Sequence, residues 1–445
     1  MDNEAENKAI VDVLGVGFGP SNLALAVAFA EMPEPDRPTA LFIEQKPDFA
    51  WHPGMLIDGS RAQVPFFKDL ATLRDPTSRF TYLSWLHERG LLFQFVASRD
   101  VTPLRSELEA YYRWAASHFT EQVRYGHRVV ALEPVRTPDR VSLVKAVVQD
   151  TATGHRGTVL ARNAVVAPGG TPYVPECAAG VDSPRVFHTS VFTEAVPATY
   201  SDRDAPYRFV IIGAGQSAGD TARYLLDAYP RARVDLAFRG YAPRPLDESP
   251  FVNELFDPDA RQFMLSLSHA ERDAVRAEHH FANYSAVDLS LLVDLYRRRL
   301  NDAILGRSRL GMLPFHELRG LDADETGVTV TLHNRFGQDE TTLRADGVVL
   351  ATGYQRGAPF LDALTPFLRL ADDGTPEVAP DYRLHTVDEF APAIFVQGLS
   401  ESTHGLSDTL LSLLSVRAGE IADSLAGIRK AANHAAEWQR LDRAA

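Results

Sequence analysis

Residues 208–239 read RFVIIGAGQSAGDTARYLLDAYPRARVDLAFR. A short β-rich run meets the glycine turn Gly213-Ala214-Gly215-Gln216-Ser217-Ala218. The chain then continues through a segment of helical period into a second run that ends at Phe238-Arg239-Gly240. Strand, tight turn, helix, strand is a βαβ unit, which requires parallel strands and a right-handed crossover. The same order occurs about 200 residues earlier: IVDVLGV (10–16), the turn Gly15-Val16-Gly17-Phe18-Gly19-Pro20, the Ala/Leu-rich NLALAVAFAE (22–31) and TALFIE (39–44). Two such units predict an α/β chain with two Rossmann-like dinucleotide-binding domains and a smaller helical portion for substrate.

The remaining punctuation suggests boundaries. The first domain is expected over 8–200, and PATYSDRDAPY (197–207) reads as the linker that follows it. The second is expected over 201–355, with a helical insertion at about 250–300. Within that insertion SHAERDAVRAEHHFANYSAVDLSLLVDLYRRRL (268–300) is helical in period and expected to pack on the second domain. Residues 356–445 return to the first domain and supply a closing helix over DTLLSLLSVRAGEIADSLAGI (408–428). NAVVAPGGTPYVP (163–175) and VVLATGY (348–354) are apolar strands ending in small residues, where the chain is expected to pass between the two domains.

Composition narrows the function. A length of 445 residues suits two or three domains. Apolar residues make up 45% and charged residues 23%, as in globular proteins. A formal net charge of −14 argues against nucleic acid or an anionic membrane as partner. No apolar run is long enough to span a bilayer, and MDNEAENKAI is unlike a secretory signal, so a cytoplasmic enzyme is expected. The single cysteine, Cys177, excludes an internal disulfide, a thiolate metal cluster and the cysteine pair of a disulfide reductase. The histidines show no HExxH spacing, and no metal is expected.

The two second strands separate two ligands. In the first turn Gly15 permits the bend, Gly17 lets backbone approach a pyrophosphate, and Gly19 leads into Pro20, which suits a first helical position. The first unit's second strand ends in Glu44, which can accept both hydroxyls of an unmodified ribose and so suits FAD. The other ends in Arg239, a cation where an acid would read NAD, and so suits the 2′-phosphate of NADPH. Asp235, earlier in the same strand, is expected to fall short of the ribose.

A family resemblance now joins these features. GVGFGPSNLALA, WHPGMLIDGSRAQVPFFKDLATLRDPTSRFTYLSWL, IIGAGQSAGD, DESPFVNELFDPD, NYSAVD, VVLATGY and THGLSDTLLSLLSVRAGEI occur in that order. Together they resemble the flavin-dependent N-hydroxylating monooxygenases, the ornithine and lysine N-monooxygenases of hydroxamate siderophore and related pathways. The resemblance implies that NADPH reduces FAD, that O2 adds to give a C4a-hydroperoxyflavin, and that a neutral primary amine takes the distal oxygen. It implies catalytic roles for Asn253, between nicotinamide and substrate amine, and for Gln63, beside the isoalloxazine. Trp51 and His52 are expected to line the flavin pocket, and Gln216 and Ser217 to meet NADPH at the second turn. Lys68 is expected to pair with the substrate α-carboxylate and Asn283 to bind the amino-acid end. Ser412 is expected in the same pocket, and the whole is expected to form a homo-oligomer, a tetramer or dimer. Without the family context, Lys68 reads as an ordinary snorkelling lysine. ATLRDPTS resembles the ornithine branch, while Leu108 stands where the family has Phe. Lysine or another diamine therefore stays open beside L-ornithine, and a Baeyer–Villiger or sulfoxidising flavin monooxygenase is the further alternative.

Overall fold

The computed structural model describes residues 10–337 and 339–444, with side chains to residue 433. Its first sheet is built on Val11–Val16, flanked in parallel by Ala40–Ile43 and by the second half of Arg156–Val166. Val123–Arg124 extends one edge, and Ile394–Val396 joins Arg156–Val166 in parallel. The first half of Arg156–Val166 pairs antiparallel with Val141–Asp150, which pairs in turn with His127–Arg136. The helix Pro20–Glu31 follows the first turn, and Leu23 through Phe29 are all 3% exposed or less. A helix buried on every side is apolar on every side, which explains why NLALAVAFAE shows no polar face. It lies between this sheet and the closing helix Leu414–Ala444.

The second sheet is parallel throughout, in the order Leu310–Pro314, Arg233–Phe238, Arg208–Ile212, Gly347–Leu350, Val186–His188. The helix Gln216–Ala228 turns Ala218, Ala222, Leu225 and Leu226 onto it. A three-stranded antiparallel sheet, His316–Asp324, Gly327–Asn334 and Glu340–Ala345, follows. Thr171–Pro172 and Tyr354–Gln355 pair antiparallel, which ties together the two strand-end turns singled out in the sequence.

Several expectations need correction. The second sheet takes its edge strand Val186–His188 from before residue 201. The expected linker 197–207 is anchored at Tyr200, which is 1% exposed and whose hydroxyl donates to the Asp346 carbonyl at 2.7 Å, while Ser201 through Asp204 are exposed. The expected helix over 268–300 is two helices, His269–His279 and Leu289–Ile304. Each has its own N-cap: Ser268 accepts from the Glu271 amide and Asp288 from the Leu291 amide. Between them Ser285 has φ +59 and Ala286–Val287 pairs with Arg244–Pro245. Only the second helix packs on the second sheet, through Leu291 and Leu295. The first lies against Glu401–His404, with Arg276 at 3.6 Å from Glu401. The closing helix starts at Leu414 rather than 408, because Asp408 is spent on the amides of Gly398 and Ser400.

Candidate active site

The first glycine turn is crowded where a pyrophosphate-binding turn should be. A Cβ on Gly15 would lie 2.1 Å from Phe42 Cδ1, and one on Gly17, at φ +82, 2.4 Å from the Ala167 carbonyl oxygen. Gly19 has open space around it and caps the helix that Pro20 begins. Glu44, 6% exposed, accepts from the Phe18 amide through Oε2 (2.7 Å) and from the Lys46 amide through Oε1 (2.9 Å). Each carboxylate oxygen keeps a second acceptor site, so Glu44 both locks the turn and can still accept a hydroxyl.

At the second turn Gly213 has φ +136, and a Cβ there would lie 2.3 Å from the Ala351 carbonyl oxygen. Gly215 precedes the helix that Gln216 starts, with Ser217 in its first turn. Gln216 is 8% exposed, and its oxygen accepts from the Asp288 amide (2.8 Å) and from Gln63 Nε2 (3.3 Å). Gln63 is thereby the direct bridge from the first domain's loop to the second turn. Arg239 directly follows the strand Arg233–Phe238 and is exposed, and its carbonyl accepts from Arg335 Nη1 at 3.1 Å. Asp235 is 1% exposed and paired with Arg208 (3.2 Å) and Arg233 (3.0 Å), so it is consumed at the far end of the strand.

Trp51 and His52 pack edge to face at 5.3 Å, with Trp51 also against Tyr112 and His52 against Tyr354. His52 has φ 48 and retains solvent exposure, yet it sits deep among cationic side chains. Burial, then Arg105, Lys46 and Arg356, push its pKa down to about 4. His52 is therefore neutral at pH 7. Arg105 approaches the buried Asp220 at 4.0 Å, and Gln216 Nε2 donates to Asp220 at 3.1 Å. A chain of contacts thus runs from the second turn to the positive pocket at His52. Cations gathered near two glycine turns, each opening a helix, suit two anionic dinucleotides. The residues present fit FAD at the first turn and NADPH at the second.

A second group forms around the insertion. Lys68 Nζ lies 5.8 Å from the Phe256 ring centroid and pairs with no carboxylate within 4 Å among the described residues. Burial lowers its pKa, and Asp257 opposes that shift. Phe256 clusters with Ala282 and Leu406, and Val252, Leu255, Tyr284 and Leu410 pack around them. This small apolar cluster brings together the segments that carry Asn253, Asn283 and Thr409. Asn283 Nδ2 donates to Thr409 Oγ1 at 3.1 Å. Asn253 Nδ2 donates back to the Glu248 and Ser249 carbonyls, each at 3.2 Å. Both amide hydrogens of Asn253 are thus used within the chain, leaving Oδ1 as the group offered outward. Ser412 is 4% exposed, beside the start of the closing helix.

One buried network had no place in the residue-level expectations. Arg417, 2% exposed, donates to the Asp408 carbonyl (2.5 Å), Asp408 Oδ1 (3.2 Å), Gln397 Oε1 (3.2 Å) and Ser21 Oγ (3.2 Å). Gln397 Nε2 donates to Asn22 Oδ1 at 3.0 Å, and Asn22 Nδ2 donates to the Gly17 carbonyl at 2.7 Å. The motif THGLSDTLLSLLSVRAGEI held both Asp408 and Arg417, but nothing in their spacing showed that they reach the first glycine turn. Arg105 was missed for a similar reason, since its partners lie far away in the chain.

Comparison with known proteins completes the description of the site. Residues 9–356 match the family described as L-lysine 6-monooxygenase/L-ornithine 5-monooxygenase. The chain is similar to an L-ornithine N(5)-oxygenase of Arthrobotrys oligospora, 38% identical over 96% of this chain and 90% of that one. Its fold is similar to that of an ornithine hydroxylase from Pseudomonas aeruginosa, with a TM-score of 0.88 and 36% identity over 94% of this chain and 100% of that one. It is equally similar to a Kutzneria sp. 744 ornithine N-hydroxylase solved with reduced FAD, NADP+ and L-ornithine: TM-score 0.88 and 37% identity over 94% and 99%. Among the described residues no helix is long and apolar enough to cross a membrane. With the family matched over most of its length and the glycine turns and insertion motifs in place, the chain belongs to the L-lysine 6-monooxygenase/L-ornithine 5-monooxygenase family and is a flavin N-monooxygenase.

Proposed function

We propose that this protein hydroxylates the side-chain amine of L-ornithine, with FAD, NADPH and O2 as co-reactants. The observation that carries the substrate class is Lys68: a partly desolvated ammonium with no carboxylate within 4 Å among the described residues, beside the cluster that joins the Asn253 and Asn283 segments. Desolvating a cation is costly unless an anion joins it, and the α-carboxylate of an amino acid is such an anion. Asn283, whose Nδ2 is held by Thr409, keeps Oδ1 to accept from the α-ammonium.

When bound, the flavin supplies transfer of one oxygen atom from O2, with NADPH as electron donor. This chain's part is to hold and orient. The first turn and Glu44 hold FAD, and the second turn, Gln216, Ser217 and Arg239 hold NADPH. Gln63 fixes the flavin-side loop against the second turn. Asn253 offers its Oδ1 to the side-chain amine. A free alkyl ammonium has a pKa of about 10, so the reactive neutral amine must be favoured by burial and by an acceptor. His52, with its pKa pushed down to about 4, neither adds positive charge to this region nor donates a proton at neutral pH.

L-lysine is the second reading, since one methylene in a pocket discriminates by only about 1–3 kcal/mol. The likeness of ATLRDPTS to the ornithine branch and the ornithine-named relatives favour the first. The test is hydroxylamine formation with L-ornithine, L-lysine, putrescine and 2,4-diaminobutyrate, with NADPH consumption and H2O2 release followed in parallel. Ornithine should give the highest hydroxylamine yield per NADPH, and putrescine, without a carboxylate, a much lower one. NADPH oxidation that yields only H2O2 with both amino acids would overturn the proposal.

A further inference from the structure

Three neighbouring strands of the second sheet end level with one another. Ala237 is in register with Ile212, which precedes Gly213 of the glycine turn, and Phe238 is in register with Pro314. Outward from the turn, the residues that follow these strands are Arg239 and then Phe315. A dinucleotide lies across such strand ends with its pyrophosphate at the turn. With Arg239 at the 2′-phosphate, the adenine falls to the next strand end, at Phe315.

That strand end is built of exposed rings. Tyr241 and Phe336 are 78% and 79% exposed. Phe315 touches both, with ring centroids 5.7 Å from Tyr241 and 4.8 Å from Phe336, the latter pair perpendicular. Phe315 has φ +64, a conformation that is strained for a bulky side chain and that persists only where its surroundings enforce it. Two hydrogen bonds do so: its amide donates to the Gly240 carbonyl at 3.0 Å, and its carbonyl accepts from the Arg335 amide at 2.8 Å. The rings are thereby fixed against the segment that carries Arg239. The Arg335 guanidinium is held there too, with Nη1 on the Arg239 carbonyl at 3.1 Å and Nε 3.4 Å from Glu317. Glu317 also faces Arg319 at 3.7 Å, and Arg239 pairs with no carboxylate within 4 Å among the described residues. Three arginines thus share one carboxylate. Flat apolar rings beside an excess of cations suit a base that carries a phosphate.

We infer that Tyr241 and Phe336, set by Phe315, stack the adenine of NADPH, and that Arg335 joins Arg239 at the 2′-phosphate. The inference rests on the assignment of NADPH to this turn. Its test is calorimetric binding of 2′,5′-ADP and 5′-AMP to the flavin-loaded full chain, which needs neither nicotinamide nor turnover. The wild type should prefer 2′,5′-ADP. Tyr241→Ala and Phe336→Ala should each weaken 2′,5′-ADP about 5- to 100-fold with no change in its salt dependence, as loss of a base stack requires. Tyr241→Phe, which keeps the ring, should bind as the wild type does. Arg335→Met should weaken 2′,5′-ADP about tenfold and flatten the salt dependence, because an exposed charge contact is screened. All three side chains are exposed, so circular dichroism and flavin content should not change. A wild type that binds 5′-AMP as tightly as 2′,5′-ADP would overturn the NADPH assignment and this inference with it. A clear preference for 2′,5′-ADP that survives at wild-type affinity in any one of Tyr241→Ala, Phe336→Ala or Arg335→Met would overturn this inference alone, as would equal losses in Tyr241→Phe and Tyr241→Ala.

Discussion

Lys68 shows how one side chain is defined by what it lacks. Burial holds its ammonium below the ordinary lysine range, and Asp257 pulls the other way. If it binds the substrate carboxylate, binding needs the protonated form, so affinity is present below the lowered pKa and lost as pH rises through it. The ornithine KM should therefore climb at a lower pH than an ordinary lysine would dictate. Asp257→Asn should move that climb lower still, because it removes the one group that raises the pKa. A KM–pH profile of the two proteins checks the order. Lys68→Ala, at neutral pH, should raise the ornithine KM by about 10- to 100-fold, the equivalent of a charged hydrogen bond worth about 1.5–3 kcal/mol. Flavin content and the rate of flavin reduction by NADPH should be unchanged. A variant with wild-type KM would remove Lys68 from the substrate site.

Each glycine turn combines a conformational need with a steric one. Gly17 and Gly213 sit at φ +82 and +136, and a Cβ on either would press within 2.4 Å of a backbone carbonyl oxygen, of Ala167 and Ala351 respectively. Backbone cannot yield as a flexible side chain can, so an alanine at either position is strained by about 1–3 kcal/mol. The two substitutions should fail differently. Gly17→Ala should lose flavin on gel filtration. Gly213→Ala should keep flavin, whose turn lies in the other sheet, while its NADPH KM rises at least tenfold. Loss of flavin from both variants to the same extent would mean that the turns do not act as separate sites. The expected helix over 268–300 shows the limit of reading periodicity. Its hydrophobic spacing runs on through residues 280–288, but Asp288 caps a new helix and Ser285 turns left-handed. Local hydrogen bonding thus overrides a periodic pattern.

At the scale of the molecule the insertion is pinned both to the second sheet and to the closing helix. Leu289–Ile304 packs on the second, while Arg261, 4% exposed, pairs with Glu420 of the closing helix and donates to the Tyr382 hydroxyl at 3.0 Å. Asn283 lies between these anchors, and Asn253 lies on the segment just before Arg261. Arg261→Met keeps the bulk and removes the anchor, so it should loosen the substrate group without touching flavin binding. The expected outcome is a larger share of consumed NADPH released as H2O2, measured against hydroxylamine, with flavin content unchanged. An unchanged ratio would limit Arg261 to a stabilising role. The sequence by itself determined the two βαβ units, both glycine turns, and Glu44 and Arg239 at their strand ends, because these depend on spacings of a few residues fixed by backbone geometry; the family resemblance rested on whole motifs met in order. It could not show that Val186–His188 joins the second sheet or that Arg417 reaches Ser21 and Gln397. Nor could it show that Asn253 turns its amide back on its own segment, or that Gln63 meets Gln216. Those are contacts between positions chosen by packing, or between rotamers chosen by local hydrogen bonds. Only the folded chain decides which distant polar groups are buried together and must satisfy one another.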